Sequence, residues 1–202
     1  MQKIAIFGGT FNPVHWGHLR VAEAAIRQKS LDQILWVTVH PRYKAANIVE
    51  LRHRQDMVKL AIAPYPNFVF CPLAEHQSNY AIDILLSLQA RYPSSEWYSI
   101  VGLDAWRSLP RWYRSQELVA QCNWLVAPRK DGTEGNNDLE RSVDCLVRQG
   151  DKMQWEYLKM PSIEISSSLV RQYCHNLQSI QHLVPEAVRA YILEQGLYQP
   201  SS

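Results

Sequence analysis

Short apolar runs alternate with amphipathic stretches along this chain, and the alternation predicts its elements. Ile4 to Phe7 is an apolar run of the kind that forms a buried strand, with Gly8 and Gly9 expected to end it. Asn12-Pro13 turns the chain, and an amphipathic run from about Trp16 to Lys29 predicts a helix. Gln33 to Val39 reads as the second strand. Leu51 to Ala63 reads as a helix with Met57, Leu60 and Ala61 on one side and Arg52, Arg54 and Lys59 on a solvated face, broken by Pro64-Tyr65-Pro66. Phe68 to Cys71 is a third strand, and Tyr80 to Arg91 a helix with Ile84, Leu85 and Leu88 at helical spacing. Glu96 to Val101 is a fourth strand running into Gly102, followed by a short helix from Gln116 to Gln121 capped by Ser115. Trp124 to Ala127 gives a fifth strand. Asp131 to Asn137 is a turn cluster expected to be mobile, and a helix from Leu139 to Arg148 follows. A sixth strand near Gln154 to Leu158 precedes two helices, Ser167 to His175 and Pro185 to Glu194. In the last, Pro185 suits the first turn, and Val184, Val188, Tyr191 and Ile192 form an apolar stripe.

Strands alternating with helices predict an α/β fold, a doubly wound parallel sheet that binds ligands at the carboxyl ends of its strands. The expectation is a single domain over residues 1–202, with C-terminal helices at about 166–198 packed on it.

Composition narrows the class. Nearly half of the 202 residues are apolar and a fifth are charged, a globular balance. A formal charge of +2 gives no argument for nucleic acid or an anionic membrane as partner. No signal peptide is visible, and no apolar run approaches the roughly 20 residues that span a bilayer. Cys71, Cys122, Cys145 and Cys174 are scattered without a C-x-x-C pair and read as reduced, mostly buried thiols of a cytoplasmic protein.

Candidate chemistry concentrates where the first strand meets the first helix. Glycines there let the backbone approach a ligand, and the helix N-terminus offers N–H groups and its dipole to an anion. His15 and His18, three residues apart, place two imidazoles on one face. The stretch lacks the spacing of a P-loop or of G-x-G-x-x-G, and no third ligand for a metal lies nearby in sequence. Ser162 to Arg171 leads three serines into a helix; taken alone it is plain capping, but it can also offer hydroxyls, amides and the Arg171 cation to a phosphate. Gly102 and Asp104 fall at the end of a predicted strand, where ribose- or phosphate-binding groups sit in such sheets. Trp112, on a loop beside a proline, is either a core anchor or a platform for a flat ring. His53, His76, His175 and His182 read as surface or packing residues.

The string GGTFNPVHWGH resembles the signature of the nucleotidylyltransferase superfamily, whose H-x-G-H element binds a nucleotide triphosphate. ISSSLVR resembles the I-S-S-T-x-I-R element that closes the nucleotide site there. With HPRYK, R-x-x-M-x-x-L-A-I, NYAIDIL, VGLDAW, LPRWY, APR and VPEAVRAYILEQGLY in this order, the chain is similar to bacterial nicotinate-nucleotide adenylyltransferases over nearly all of residues 1–198.

That resemblance implies transfer of AMP from ATP to nicotinate mononucleotide, giving deamido-NAD and pyrophosphate, with Mg²⁺ held mainly by substrate phosphates and water. It implies that Gly8, Gly9, Thr10, Phe11, His15, His18, Ser166, Ser167 and Arg171 surround the ATP phosphates, with Gly102 and Asp104 near the ribose. Lys44 matches a basic residue at the mouth; His15, His18, Lys44 and Arg171 would supply the positive potential for catalysis. Trp112 matches the aromatic that stacks on the pyridine ring, and Tyr80, Ala81 and Tyr113 match the region that meets its carboxylate. Tyr43, Asn79, Ala81 and Ser168 depart from the usual histidine, serine, threonine and threonine. Rival readings are a transferase for nicotinamide mononucleotide or pantetheine phosphate, a silent nucleotide-binding module, and a tRNA-synthetase fragment. The sequence leaves the oligomeric state open.

Overall fold

The computed structural model describes residues 1–40, 48–73, 78–128 and 153–200. The expected turn cluster at 131–137, the helix at 139–148, Cys145, His76, Tyr43 and Lys44 lie outside the described residues.

Six strands, β1 (Lys3–Gly9), β2 (Gln33–Thr38), β3 (Phe68–Phe70), β4 (Glu96–Gly102), β5 (Asn123–Ala127) and β6 (Trp155–Tyr157), form one sheet in the order β3-β2-β1-β4-β5-β6. Every pairing is parallel. The direction of winding reverses between β1 and β4, which opens a crevice at their carboxyl ends.

The apolar runs are continuous because both faces of the sheet are covered. Ala5, Phe7, Ile34, Trp36, Ile100 and Leu125 point to one face. There they meet α1 (Trp16–Lys29), α2 (Leu51–Ile62), α6 (Ser167–His175) and α7 (Glu186–Glu194) through Leu19, Met57, Val170 and Val188. Their neighbours Ile4, Leu35, Val37, Val101, Trp124 and Val126 point to the other face. That face is covered by α3 (Ala81–Arg91), α4 (Leu103–Ser108) and α5 (Ser115–Ala120), through Leu85, Trp106 and Leu118 among others.

Several local expectations are corrected. β1 ends at Gly9 as expected, but both glycines are paired within it, Gly8 opposite Val37 and Gly9 opposite Thr38, and neither takes a positive φ. The left-handed residue is Phe11 (φ 47°), just before the cis Asn12-Pro13 bond. Leu109–Arg111, expected on the loop that carries Trp112, is a 3₁₀ turn that continues α4, a helix not expected from sequence, and it is anchored by the fully buried Leu109 and Trp106. Ser115 is the first residue of α5, not its cap; left-handed Arg114 takes the cap position, and the Ser115 hydroxyl donates to the Pro110 carbonyl at 3.3 Å. On α2, Leu60 is exposed, whereas Arg54 is buried beside Met57, Val58 and Ala61.

The helices that close the chain meet the start of it. Val184, Val188, Ile192 and Leu197 join Phe11 and Val14 in one core cluster. Ser166 caps α6 by accepting the Leu169 N–H at 3.1 Å.

Candidate active site

The site begins where β1 delivers its glycines to the crevice. A Cβ on Gly8 would meet no atom within 4 Å, so the backbone there is open to a ligand. A Cβ on Gly9 would lie 2.9 Å from the Phe11 ring, so glycine is needed for that ring to fold back. Phe11 is itself buried, edge-on to Phe7 and His18 with centroids 5.6 and 5.1 Å away. Its side chain is therefore core, and only its backbone can serve a ligand.

The next turn sets the two histidines at the head of α1. Their rings stack with centroids 3.7 Å apart. The His18 N–H donates to the His15 carbonyl at 2.9 Å, and the His15 N–H donates back to His18 Nδ1 at 3.2 Å. Trp16 N–H is used by the Leu183 carbonyl at 3.0 Å, which leaves Gly17 N–H without an acceptor among the described residues. Glycine is required at 17, because a Cβ would lie 2.8 Å from His15 Nδ1.

These contacts fix the protonation of the pair. An Nδ1 that accepts a hydrogen bond carries no proton, so neutral His18 bears its hydrogen on Nε2. Charging it would place a proton on Nδ1 and break the bond to His15 N–H. Burial pushes the His18 pKa well below its ordinary value, and the nearby His15 adds to this. Burial lowers His15 to about 4, and its Nδ1 is buried without a partner. In the ligand-free protein both rings are therefore neutral near pH 7, which corrects the expectation that they bring positive charge. What they bring is hydrogen-bonding capacity.

One consequence is measurable. An unfolded histidine titrates near 6.5, so between about pH 6.5 and 4 the unfolded chain takes up a proton that folded His15 refuses. Stability is full above that window and falls as the pH drops through it, by about 3 kcal/mol for a shift of this size. Urea midpoints at pH 7 and 4.5 should show this loss, and His15→Asn should reduce it. An equal loss in the variant would assign the pH dependence elsewhere.

Charge is supplied from across the turn. Arg171, on α6, donates to the Asn12 carbonyl at 2.8 Å and to Ser168 Oγ at 3.1 Å. Ser167 Oγ donates to the Pro13 carbonyl at 2.8 Å. Ser166 is occupied in capping, so of the serines Ser167 is the one that ties α6 to the turn. Asn12, buried, is a hub that was not singled out from sequence: its Oδ1 accepts from Tyr198 OH at 2.8 Å and from Val49 N–H at 3.3 Å. A cleft of about 540 Å³ beside this hub is lined by Val49, Ser168, Arg171, His175 and Tyr198 among others.

Gly102 and Asp104 emerge from β4, the neighbour of β1, as the exposed N-cap and first turn of α4. Around the next corner Tyr80 and Tyr113 form an exposed ring pair with centroids 4.3 Å apart. Tyr80 is the N-cap of α3 with no side-chain cap, so the helix opens at Ala81 with first-turn N–H groups that its own cap residue does not satisfy. Trp112 is half-buried; its indole N–H donates to Ser108 Oγ at 2.9 Å and its ring lies edge-on to Trp124 at 6.4 Å. It is anchored to the core and keeps an exposed part. Lys44 lies outside the described residues, so its relation to this crevice is not part of the geometry.

The strand order and the crevice at the switch point are those of a Rossmann-like nucleotidyltransferase. The Cytidylyltransferase-like family model matches residues 6–173. A protein of Trichormus variabilis named "Probable nicotinate-nucleotide adenylyltransferase" is 43% identical over 211 residues, covering 100% of both chains. One of the same name from Lachnoclostridium phytofermentans is 36% identical, covering 98% of this chain and 100% of its own. The nicotinic acid mononucleotide adenylyltransferase of Plasmodium falciparum, complexed with NaAD, shares the fold at a TM-score of 0.79 and 18% identity, covering 98% of each chain. Its complex with APC gives a TM-score of 0.78. The chain belongs to the cytidylyltransferase-like family and, within it, to the nicotinate-nucleotide adenylyltransferases.

Proposed function

We propose that the protein transfers AMP from ATP to nicotinate mononucleotide, forming deamido-NAD and pyrophosphate. The observation that carries this reading is the stacked His15–His18 pair at the head of α1, facing the crevice end of β1 with Arg171 tied to the same turn. A phosphate oxygen of the mononucleotide attacks the α-phosphorus of ATP in line. The bond from that phosphorus to the bridging oxygen breaks, and pyrophosphate leaves with the electron pair. The attacking phosphate is already ionised, so no strong general base is needed. The protein's work is to hold two mutually repelling anions in line and to stabilise charge on the transferring group.

The backbone of Gly8 to Phe11 and Gly17 N–H would offer donors to the polyphosphate, as would the backbone N–H of Ser167 at the head of α6, its hydroxyl being given to the Pro13 carbonyl; His18 contributes its Nε2–H, and Arg171 and Lys44 the charge. Gly102 and Asp104, at the carboxyl end of β4, would meet the ribose. Among the described residues no group of three His, Cys, Asp or Glu side chains could hold a metal ion. A Mg²⁺ ion for this reaction would ride on the substrate phosphates and water, supplying charge neutralisation there. We place the reaction in the cytoplasm, a reading supported by the free thiols of Cys71, Cys122 and Cys174. No helix among the described residues is long and apolar enough to cross a membrane.

The test is pyrophosphate release and product analysis with ATP, Mg²⁺ and a set of phosphate acceptors. Deamido-NAD should form from nicotinate mononucleotide. No release with this pair, but release with pantetheine phosphate, would overturn the assignment.

For Trp112, ring stacking on the acceptor is worth about 1–3 kcal/mol. With much of the ring in the core, the lower end applies. Trp112→Ala should raise KM for the mononucleotide by roughly 5- to 30-fold, leaving KM for ATP nearly unchanged. Equal weakening of both substrates would make Trp112 a core residue alone.

A further inference from the structure

Among the described residues Arg54 is the one buried arginine, with 1% of its surface exposed. A buried cation is costly unless it is paired or well hydrogen-bonded. No carboxylate among the described residues accepts from it. Its donors go instead to three carbonyls: Nε to Val49 at 3.2 Å, and Nη1 to Thr10 at 2.8 Å and to Val39 at 2.9 Å. Thr10 belongs to the turn after β1, and Val39 follows β2, so the guanidinium lies behind the crevice ends of two adjacent strands.

A trans peptide carries its N–H opposite its carbonyl. The Thr10 carbonyl, drawn inward by Arg54, shares its peptide with Phe11 N–H, which has no acceptor among the described residues. A cation on the carbonyl polarises the peptide and makes that N–H a stronger donor on the far side. On the other flank of the turn Arg171 donates to the Asn12 carbonyl; the peptide there ends in Pro13, which has no N–H, so this contact holds the loop without sharpening a donor. Two guanidiniums from α2 and α6 thus grip successive parts of one loop, and neither is neutralised by a carboxylate among the described residues.

We propose that Arg54 is a positioning residue of the phosphate site: it holds the Thr10 and Val39 carbonyls inward behind the glycine turn, and its buried charge strengthens that turn's grip on a polyphosphate. The inference rests on the nucleotide-site reading above but not on the identity of the acceptor. A purely structural role would weaken binding of charged and uncharged ligands alike, whereas this role acts on the anion.

Isothermal titration of the full chain with ATP, inorganic pyrophosphate and adenosine separates the two. Arg54→Met should raise Kd for ATP and for pyrophosphate by about tenfold or more, the scale of one poorly screened charge at short range, and leave adenosine unchanged. Arg54→Lys keeps the charge and should bind pyrophosphate within about threefold of wild type. If Arg54→Met does not fold, Arg54→Gln, which retains donors for the carbonyls without charge, is expected to behave as Arg54→Met would. Unchanged pyrophosphate affinity in the uncharged variant, or equal weakening of adenosine and pyrophosphate, overturns the inference. Wild-type protein that binds neither ATP nor pyrophosphate overturns the nucleotide-site reading with it.

Discussion

His18→Ala lowers kcat by about 10²-fold or more, the scale of losing one preorganised donor to a developing negative charge. The structure divides this residue into two halves with separate jobs. Nδ1 accepts the His15 N–H at the head of α1. Nε2–H is the donor left over. Alanine removes both, so a modest stability loss accompanies the kinetic one: about 1 kcal/mol for a lost cap, or roughly 2–4 °C in Tm for a chain of this size. His18→Asn separates the halves, because its Oδ1 can take the place of Nδ1 while nothing replaces Nε2–H. It should melt with wild type and still lose most of kcat. An Asn variant with wild-type turnover would remove Nε2–H from the mechanism. Variants that are unstable yet turn over normally per folded molecule would make His18 a capping residue only.

The sheet was legible because strands covered on both faces read as unbroken apolar runs, and QILWVTV and NWLVA differ sharply from the amphipathic stretches between them. Residues 103–111 were not legible as helix. Gly102 and Pro110 suggest a loop, and only the burial of Trp106 and Leu109 against β5 makes the short helix worthwhile. The histidine pair was visible from its spacing, but its charge was not. Protonation depends on a hydrogen bond to His18 Nδ1 and on burial under Phe11, both tertiary facts. Arg54 was misread as solvated because arginine usually is. A signal existed: Arg54, Met57, Val58 and Ala61 recur at helical spacing on one face, so the arginine sits in the buried stripe. Asn12 and Tyr198 had no such signal, since 186 residues separate two side chains that share a hydrogen bond.

The acceptor end yields the second large effect, a preference for the acid over the amide. A carboxylate accepts hydrogen bonds only, whereas a carboxamide presents an NH₂ that needs an acceptor. In the structure α3 begins at Ala81 with no side-chain cap, and its N–H groups and dipole favour an anion. The one acid of that first turn, Asp83, pairs with Arg114 at 3.4 Å, which offsets its charge. Tyr113, whose ring meets Tyr80 over this helix start, has an N–H that no group among the described residues accepts. A pocket with such walls leaves the NH₂ of the amide facing donors. That mismatch costs about 1–3 kcal/mol, and more where charge is involved, so kcat/KM should favour nicotinate over nicotinamide mononucleotide by about tenfold to several hundredfold. The donors are main-chain, so alanine in place of threonine at 81 preserves them. Asn79 is the residue that works against this, because its buried Oδ1 has no partner among the described residues and is the kind of acceptor an amide would use. Asn79→Ser should therefore leave turnover of the acid intact while lowering any residual turnover of the amide. Near-equal kcat/KM for the two mononucleotides in wild type, at one ATP and Mg²⁺ concentration, would show that the pocket is not built from donors alone. Preference for the amide would make the protein a nicotinamide-mononucleotide enzyme instead.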